Sequence, residues 1–190
     1  GNVKYQKTQI RHVRIDGSLV NGKLTLSDAS IRNLAGTSVR LAGTVSRLEG
    51  VPRFDGTVSA ASNNLTGLFR VAGIESPVSP RKLGKMRLTA KTNVTGERVT
   101  LDADLQLAEA RTRLTGSIDD LPGTPIFNIS LDSRHPEMAR LAALLSDGRP
   151  GPKAGPLTVK ANVKGNMTAV DVAATTGMNG GSLKIAGKVD

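Results

Sequence analysis

Two short segments of the sequence come close to motifs that hold phosphate or activate a nucleophile. Gly17 to Leu24 reads Gly-Ser-Leu-Val-Asn-Gly-Lys-Leu, which approximates a phosphate-binding loop. That loop needs a Ser or Thr after its Lys to hold magnesium, and it joins a strand to a helix. Here Leu24 takes the Ser/Thr position and alternating strand patterns lie on both sides. We therefore predict a hairpin turn at Asn21-Gly22.

The second segment, Ser79-Pro80-Arg81-Lys82, fits the S-x-x-K pattern of serine nucleophiles. In that chemistry a helical turn brings the Lys beneath the Ser. This segment lies in a Pro-rich connector, where no helix is expected. We therefore assign it no catalytic role.

Metal and acid–base chemistry also has little support. The chain has no Cys and two His, which excludes disulfides, Cys-based zinc sites and thiol nucleophiles. His12 and His135 have no ligand-type neighbours in sequence, and we expect both at the surface. The acidic residues form no pair that recurs along the chain. We predict no catalytic residues, no metal, no cofactor and no enzymatic activity.

The charge balance allows anionic partners without choosing among them. Lys and Arg number 26 against 16 Asp and Glu, a net charge of +10, which suits nucleic acid or lipid head groups. Nucleic-acid platforms usually stack bases on aromatic rings. With one Tyr, three Phe and no Trp, we expect no nucleic-acid partner.

An internal repeat organises the elements of the chain. Leu-Ala-Gly-Thr-Val at residues 41–45 recurs as Leu-Thr-Gly-Ser-Ile at 114–118 and as Ile-Ala-Gly-Lys-Val at 185–189. The glycines of these three segments lie 73 and then 71 residues apart, and recurrence at such a regular period indicates an array of similar units. We predict unit boundaries at 1–80, 81–155 and 156–190. The third unit is truncated, so we expect the parent protein to continue.

Within each unit, apolar and polar residues alternate with period two, as in strands with one wet face. One short helix per repeat is predicted, at about 64–73 and at about 136–146, each followed by a Pro/Gly-rich connector. The predicted fold is mainly β. Antiparallel meander repeats form a curved, groove-like sheet or an open sandwich.

The helices carry too few apolar residues to cover the apolar side of the strands. Three arrangements remain open: the sheet closes on itself as a sandwich, neighbouring repeats cover it, or it curves into a trough for an apolar ligand. The candidate trough lining is the inward-facing aliphatic set, and each member would equally suit a sandwich core: Val39, Leu41, Val99, Leu101, Leu105, Leu107, Leu114, Ile129, Leu131, Leu183 and Ile185.

Several segments recur in a characteristic order and spacing: the run from Leu48 to Leu65, a short helix ending Ala-Gly-Ile at 72–74, Leu-Thr-Ala-Lys-Thr-Asn-Val-Thr-Gly at 88–96, Val-Thr-Leu-Asp at 99–102, and Leu-Thr-Gly at 114–116. In these segments the chain, and residues 36–132 most specifically, resembles the periplasmic repeats of the AsmA family. The family is related to TamB-like proteins and to repeating β-groove, bridge-like lipid-transfer proteins.

The resemblance implies a periplasmic segment of a Gram-negative envelope protein whose parent is anchored in the inner membrane. Its implied function is outer-membrane biogenesis and homeostasis, by holding or conducting phospholipid acyl chains along a hydrophobic β-groove. The implied partners are phospholipids or other acyl-chain lipids, and the resemblance allows other envelope proteins. The alternative is a non-transporting β-repeat that acts as a structural or protein-interaction scaffold of the envelope.

Overall fold

A computed structural model describes residues 2–5, 8–47, 50–72, 76, 78–120, 122–146, 148–149 and 151–189. Twelve strands and two helices lie in these segments. In chain order they are β1 (Asn2–Tyr5), β2 (Thr8–Val20), β3 (Lys23–Leu34), β4 (Thr37–Ser46), β5 (Arg53–Ser62), α1 (Thr66–Ala72), β6 (Met86–Thr95), β7 (Arg98–Leu107), β8 (Ala110–Asp119), β9 (Ile126–His135), α2 (Met138–Ser146), β10 (Leu157–Gly165), β11 (Val170–Met178) and β12 (Gly181–Val189).

Two-residue turns join several neighbouring strands. Asn21-Gly22, Ala35-Gly36 and Asn179-Gly180 have positive φ at both residues, as a type I′ hairpin requires. The hairpin predicted between residues 17 and 24 is confirmed. Ala108-Glu109 makes the same turn without glycine, with φ of 50° and 64°, and the sequence pattern did not reveal it.

The chain forms two compact units. Unit 1 comprises 1–96 with 106–108, and unit 2 comprises 97–105 with 109–190. Within each unit the hydrogen-bonded strand order follows the chain order, β1 to β6 and β7 to β12. The neighbouring strands from β1 to β6 and from β8 to β12 pair in antiparallel orientation. The predicted class, a mainly β antiparallel meander with one short helix per repeat, is confirmed.

The elements recur with the period read from the sequence. β4, β8 and β12 begin at Thr37, Ala110 and Gly181, which lie 73 and then 71 residues apart. A helix follows the next strand in the first two cases. The unit boundaries predicted at residues 80 and 155 describe sequence repeats and stay predictions.

Helix α1 packs on the β3–β4 turn at one end of its sheet. Gly67 lies so close to the Ala35 carbonyl that a Cβ would overlap it, at 2.2 Å from the oxygen. The Asn64 side chain caps the helix by accepting from the Thr66 N–H at 3.0 Å. Leu65 is fully buried at this end, beside the buried Ser62. The hydroxyl of Ser62 donates to the Gly36 carbonyl.

Helix α2 is fixed at the start by a carboxylate. Glu137 accepts hydrogen bonds from the backbone N–H groups of Ala154, at 2.8 Å, and Ala139, at 3.3 Å. These bonds, that of Ala154 first, lower the pKa of Glu137 below 4.5. Arg140 pairs with Glu109 of the β7–β8 turn at 3.0 Å. Like α1, this helix therefore lies at a hairpin end.

His135, expected at the surface, is 4% exposed. Its Nδ1 atom accepts a hydrogen bond from the Glu137 N–H at 3.1 Å, so the ring links the end of β9 to the segment that leads into α2. The expectation was wrong because burial depends on tertiary packing around the end of β9, which the residues next to His135 in sequence do not reveal. His12 is exposed, as expected.

Phe54 packs flat on a pair of glycines in the middle of unit 1. Gly43 and Gly56 are cross-strand partners, and a Cβ on either would lie within 2.7 Å of the Phe54 ring. An aromatic ring over facing glycines restores the packing that the missing side chains remove.

We expect Gly43→Ala to destabilise the chain by about 1–3 kcal/mol, because the added methyl meets the Phe54 ring and the backbone of β5. Gly187 is the repeat equivalent, and a Cβ there meets nothing within 4 Å. Gly187→Ala is therefore the matched control and should leave stability unchanged or slightly raised. Urea unfolding followed by circular dichroism measures both. Equal effects of the two substitutions would contradict the close packing at Gly43.

We expect Glu137→Gln to lower the melting temperature at neutral pH. The folded-state pKa of Glu137 is depressed, so its stabilisation is present above the unfolded pKa and is lost as pH falls through the folded pKa. Melting curves of both proteins from pH 7 to pH 3 should therefore converge toward the acid end. A constant difference across that range would contradict the role of the carboxylate charge.

Candidate functional site

Rows of apolar residues run across the strands of unit 2. Leu114, Leu131, Ala161, Ala174 and Ile185 are successive cross-strand partners from β8 to β12. The adjacent row on the same face contains only Gly, Ile and Val: Gly116, Ile129, Val163, Val172 and Gly187. Because residues two apart share a face, these rows form a continuous surface.

Unit 1 has the same arrangement from β2 to β6. One row contains Ile15, Ala29, Leu41, Val58 and Ala90. On one side of it lies the row Val13, Ile31, Val39, Ala60 and Leu88. On the other side, beyond a row that contains Gly43 and Gly56, lies the row Leu19, Leu24, Val45, Phe54 and Val94. We call the surface made by these rows in each unit the apolar face.

The eleven predicted lining residues all lie on strands, and none is fully buried. Two on β12, Leu183 and Ile185, are 60% and 56% exposed. The others are half-buried: Val39, Leu41, Val99, Leu101, Leu105, Leu107, Leu114, Ile129 and Leu131. The register brings Leu114, Leu131 and Ile185 into one row. The assignment of these residues to a lipid groove stays a prediction.

The apolar face of unit 1 also contains residues of β2 and β3 that the predicted lining does not include. Ile15 and Leu19 are 73% and 64% exposed, and they extend the rows that contain Leu41 and Val45. The same signal was present, because Val13, Ile15 and Leu19 alternate with polar residues. The register of the β2–β3 pairing shifts between Asp16 and Gly17. This shift makes the alternation of apolar and polar residues along β3 harder to recognise.

The apolar faces lack cover. Among the described residues, only Leu65, Val78 and Ala103 are buried hydrophobics. The accessible surface of the chain is 12807 Å². A compact protein of this mass exposes about 8,600 Å², and two separate compact bodies of half the mass about 10,400 Å². An accessible surface above both values is expected when each unit leaves one side of its sheet uncovered. The helices α1 and α2 leave that side uncovered because they pack at hairpin ends.

The opposite surface of each sheet, which we call the charged face, carries the ionised strand residues. In unit 2, Arg113 makes two hydrogen bonds to Asp102, one of them 2.7 Å long, which raises the pKa of Arg113. In unit 1, a hydrogen bond from Arg53 and a second from Asn93 lower the pKa of Asp55. Each of these exposed pairs adds little to the stability of the fold. Their ionised side chains lie on the charged face.

Other kinds of site find no support in the described part of the chain. No group of three His, Cys, Asp or Glu side chains there could hold a metal ion. None of its helices is both long and apolar enough to cross a bilayer. A comparison with models of protein families, with curated proteins and with solved structures finds no match.

We expect the folded chain to bind the dye ANS, whose fluorescence rises on exposed apolar surface. Ile15→Asp combined with Leu19→Asp should reduce the signal. Both side chains are more than half exposed, so the fold is expected to tolerate the change. Ser18→Asp on the charged face is the matched control. Unchanged fluorescence in the double variant, with circular dichroism showing a native sheet, would contradict an open apolar face in unit 1.

Proposed function

We propose that this chain is a non-enzymatic lipid-binding segment that holds phospholipid acyl chains against its apolar faces. The single observation that carries the proposal is the set of apolar rows that remain half-buried or exposed across five successive strands. Together with the AsmA-like sequence pattern, it supports a periplasmic segment of an envelope protein with a role in outer-membrane homeostasis.

The dimensions of the rows suit an acyl chain. Neighbouring strands are about 4.8 Å apart, so a row across five strands is about 19 Å long. The hydrocarbon layer of a bilayer is about 30 Å thick, or about 15 Å for each leaflet. One extended acyl chain therefore fits along one row without meeting an ionised side chain.

Binding requires no specific polar contacts. Each buried CH₂ contributes about 0.8 kcal/mol, so a chain of many methylenes is held by aliphatic surface alone. Because adjacent rows have similar Val, Leu, Ile and Ala composition, neighbouring positions have similar free energies. A lipid can then move between rows by diffusion, and its head group stays in water at the edge of the sheet.

The alternative is a structural or protein-interaction scaffold, in which the apolar faces are covered by protein. Such a surface exceeds what monomers usually expose, so it would need an extensive partner. The two functions differ in what copurifies with the chain and in whether free lipid competes for the face.

The test is lipid mass spectrometry on chain purified from Gram-negative cells, together with binding of a fluorescent fatty acid. We expect copurifying phospholipid and weaker fatty-acid binding in Ile185→Asp. The matched control is Ala186→Asp, which adds the same charge one residue away on the charged face of the same strand.

Absence of copurifying lipid together with fatty-acid binding that Ile185→Asp leaves unchanged would overturn the proposal. A stable oligomer that Ile185→Asp dissociates, in a preparation free of lipid, would instead support the scaffold.

A further inference from the structure

A cavity of about 620 Å³ lies on the charged face of unit 1. Its walls come from β2, β3, β4, β5 and β6. They include His12, Arg14, Arg32, Arg40, Arg87 and Asp28. The volume is within the usual range for small-molecule sites. The charged side chains lie on the face opposite the apolar rows, and the lining also includes one of those rows, Val13, Ile31, Val39, Ala60 and Leu88, between the charged positions.

The strand register places the cations in two rows around hydroxyl groups. Arg14, Ser30, Arg40, Ser59 and Thr89 are successive cross-strand partners. In the neighbouring row, Arg87 is opposite Ala61, which is opposite Ser38. Hydroxyl donors therefore lie between guanidinium groups, and both kinds of donor suit an oxyanion.

The carboxylates at this cavity leave part of the positive charge uncompensated. Asp28 is 3.1 Å from the Nε atom of Arg40 and 4.0 Å from that of Arg14. Arg14 also pairs with Asp16 at 3.5 Å, so two carboxylates compensate four lining arginines, which leaves a formal surplus of two. Among the described residues, the side chains of Arg32 and Arg87 have no ion-pair or hydrogen-bond partner.

Unit 2 provides an internal comparison, because its charged face also has a cavity, of about 560 Å³, lined by Arg113, Lys160 and Asp132. There the cations are paired: Arg113 with Asp102 at 2.7 Å and Lys160 with Asp132 at 3.5 Å. At the repeat offset of 73, Asp132 corresponds to Ser59 in unit 1. The carboxylate that pairs with Lys160 in the second cavity is thus a serine in the first.

The backbone of β2 is irregular at the edge of the same cavity. His12 has φ of 58°, an uncommon conformation for a residue other than glycine. The β2–β3 register is the same on both sides of His12, with Arg11 opposite Asn33 and Val13 opposite Ile31. The positive φ is therefore a local feature of the backbone beside the cavity.

We propose that the charged-face cavity of unit 1 binds an oxyanion of the phosphate class, as free phosphate or as the phosphate of a lipid head group. Arg32 and Arg87 supply charge that no carboxylate uses. The Ser38 hydroxyl donates to the Ala61 carbonyl at 3.2 Å, so Arg40 and the hydroxyl of Ser59 orient the oxyanion. The larger volume leaves room for a group esterified to it. Recognition of this kind is independent of acyl-chain binding on the opposite face.

The test measures binding of inorganic phosphate and of glycerol 3-phosphate by calorimetry. In parallel, it measures binding to phosphatidylcholine vesicles with and without phosphatidylglycerol. We expect the double variant Arg32→Gln/Arg87→Gln to bind at least about tenfold more weakly in whichever arm is positive, because charge-assisted hydrogen bonds are lost. The variant breaks no ion pair, so the fold should persist.

Two further variants sharpen the test. Ser59→Asp introduces the residue of the equivalent position in unit 2, which that sheet accommodates, and it should abolish binding by filling the cationic site with a carboxylate. Arg113→Gln removes an arginine from the paired cavity of unit 2 and is the matched control, expected to leave phosphate binding unchanged.

Binding of the two soluble phosphates identifies a free phosphate compound. Binding confined to phosphatidylglycerol vesicles identifies a lipid head group. No binding in either arm, or binding that Arg113→Gln weakens as much as the Arg32/Arg87 double variant, would overturn the proposal. Salt-sensitive binding of duplex DNA with neither phosphate nor vesicle binding would also overturn it, in favour of a nucleic-acid surface.

Discussion

The antiparallel hydrogen-bond ladder between successive strands is the constraint on which the rest of this structure depends. It fixes which residues face each other, and the pleat then separates odd from even positions onto two faces. A slip of one residue would exchange the faces along a whole strand. Rows such as the one that joins Leu114, Leu131 and Ile185 exist because five consecutive strands keep one register.

Two short helices are the reason why the apolar faces remain open. Each helix packs at a hairpin end, where Gly67 meets Ala35 and where Arg140 meets Glu109. The buried residues Leu65 and His135 lie beside the helix starts. A sheet with one uncovered apolar side must find other apolar material, and acyl chains match both the length and the aliphatic composition of the rows.

The two faces can serve different ligands because one sheet separates them. Aliphatic rows hold methylene groups without direction, whereas guanidinium and hydroxyl groups recognise an oxyanion by direction and charge. The repeat preserves the apolar face in both units but changes the charged face. Where unit 2 has Asp132, which pairs with Lys160, unit 1 has Ser59.

The sequence by itself determined the fold class and period, the hairpins at Asn-Gly turns and the two helices, because alternation and turn chemistry are local. It missed the glycine-free turn at Ala108-Glu109 and the burial of His135, which depend on what packs nearby. Only the tertiary structure decided that the helices leave the apolar faces uncovered. Only the register brought together Arg14, Arg40 and Arg87, since residues so far apart in the chain become neighbours only when β2 to β6 are aligned.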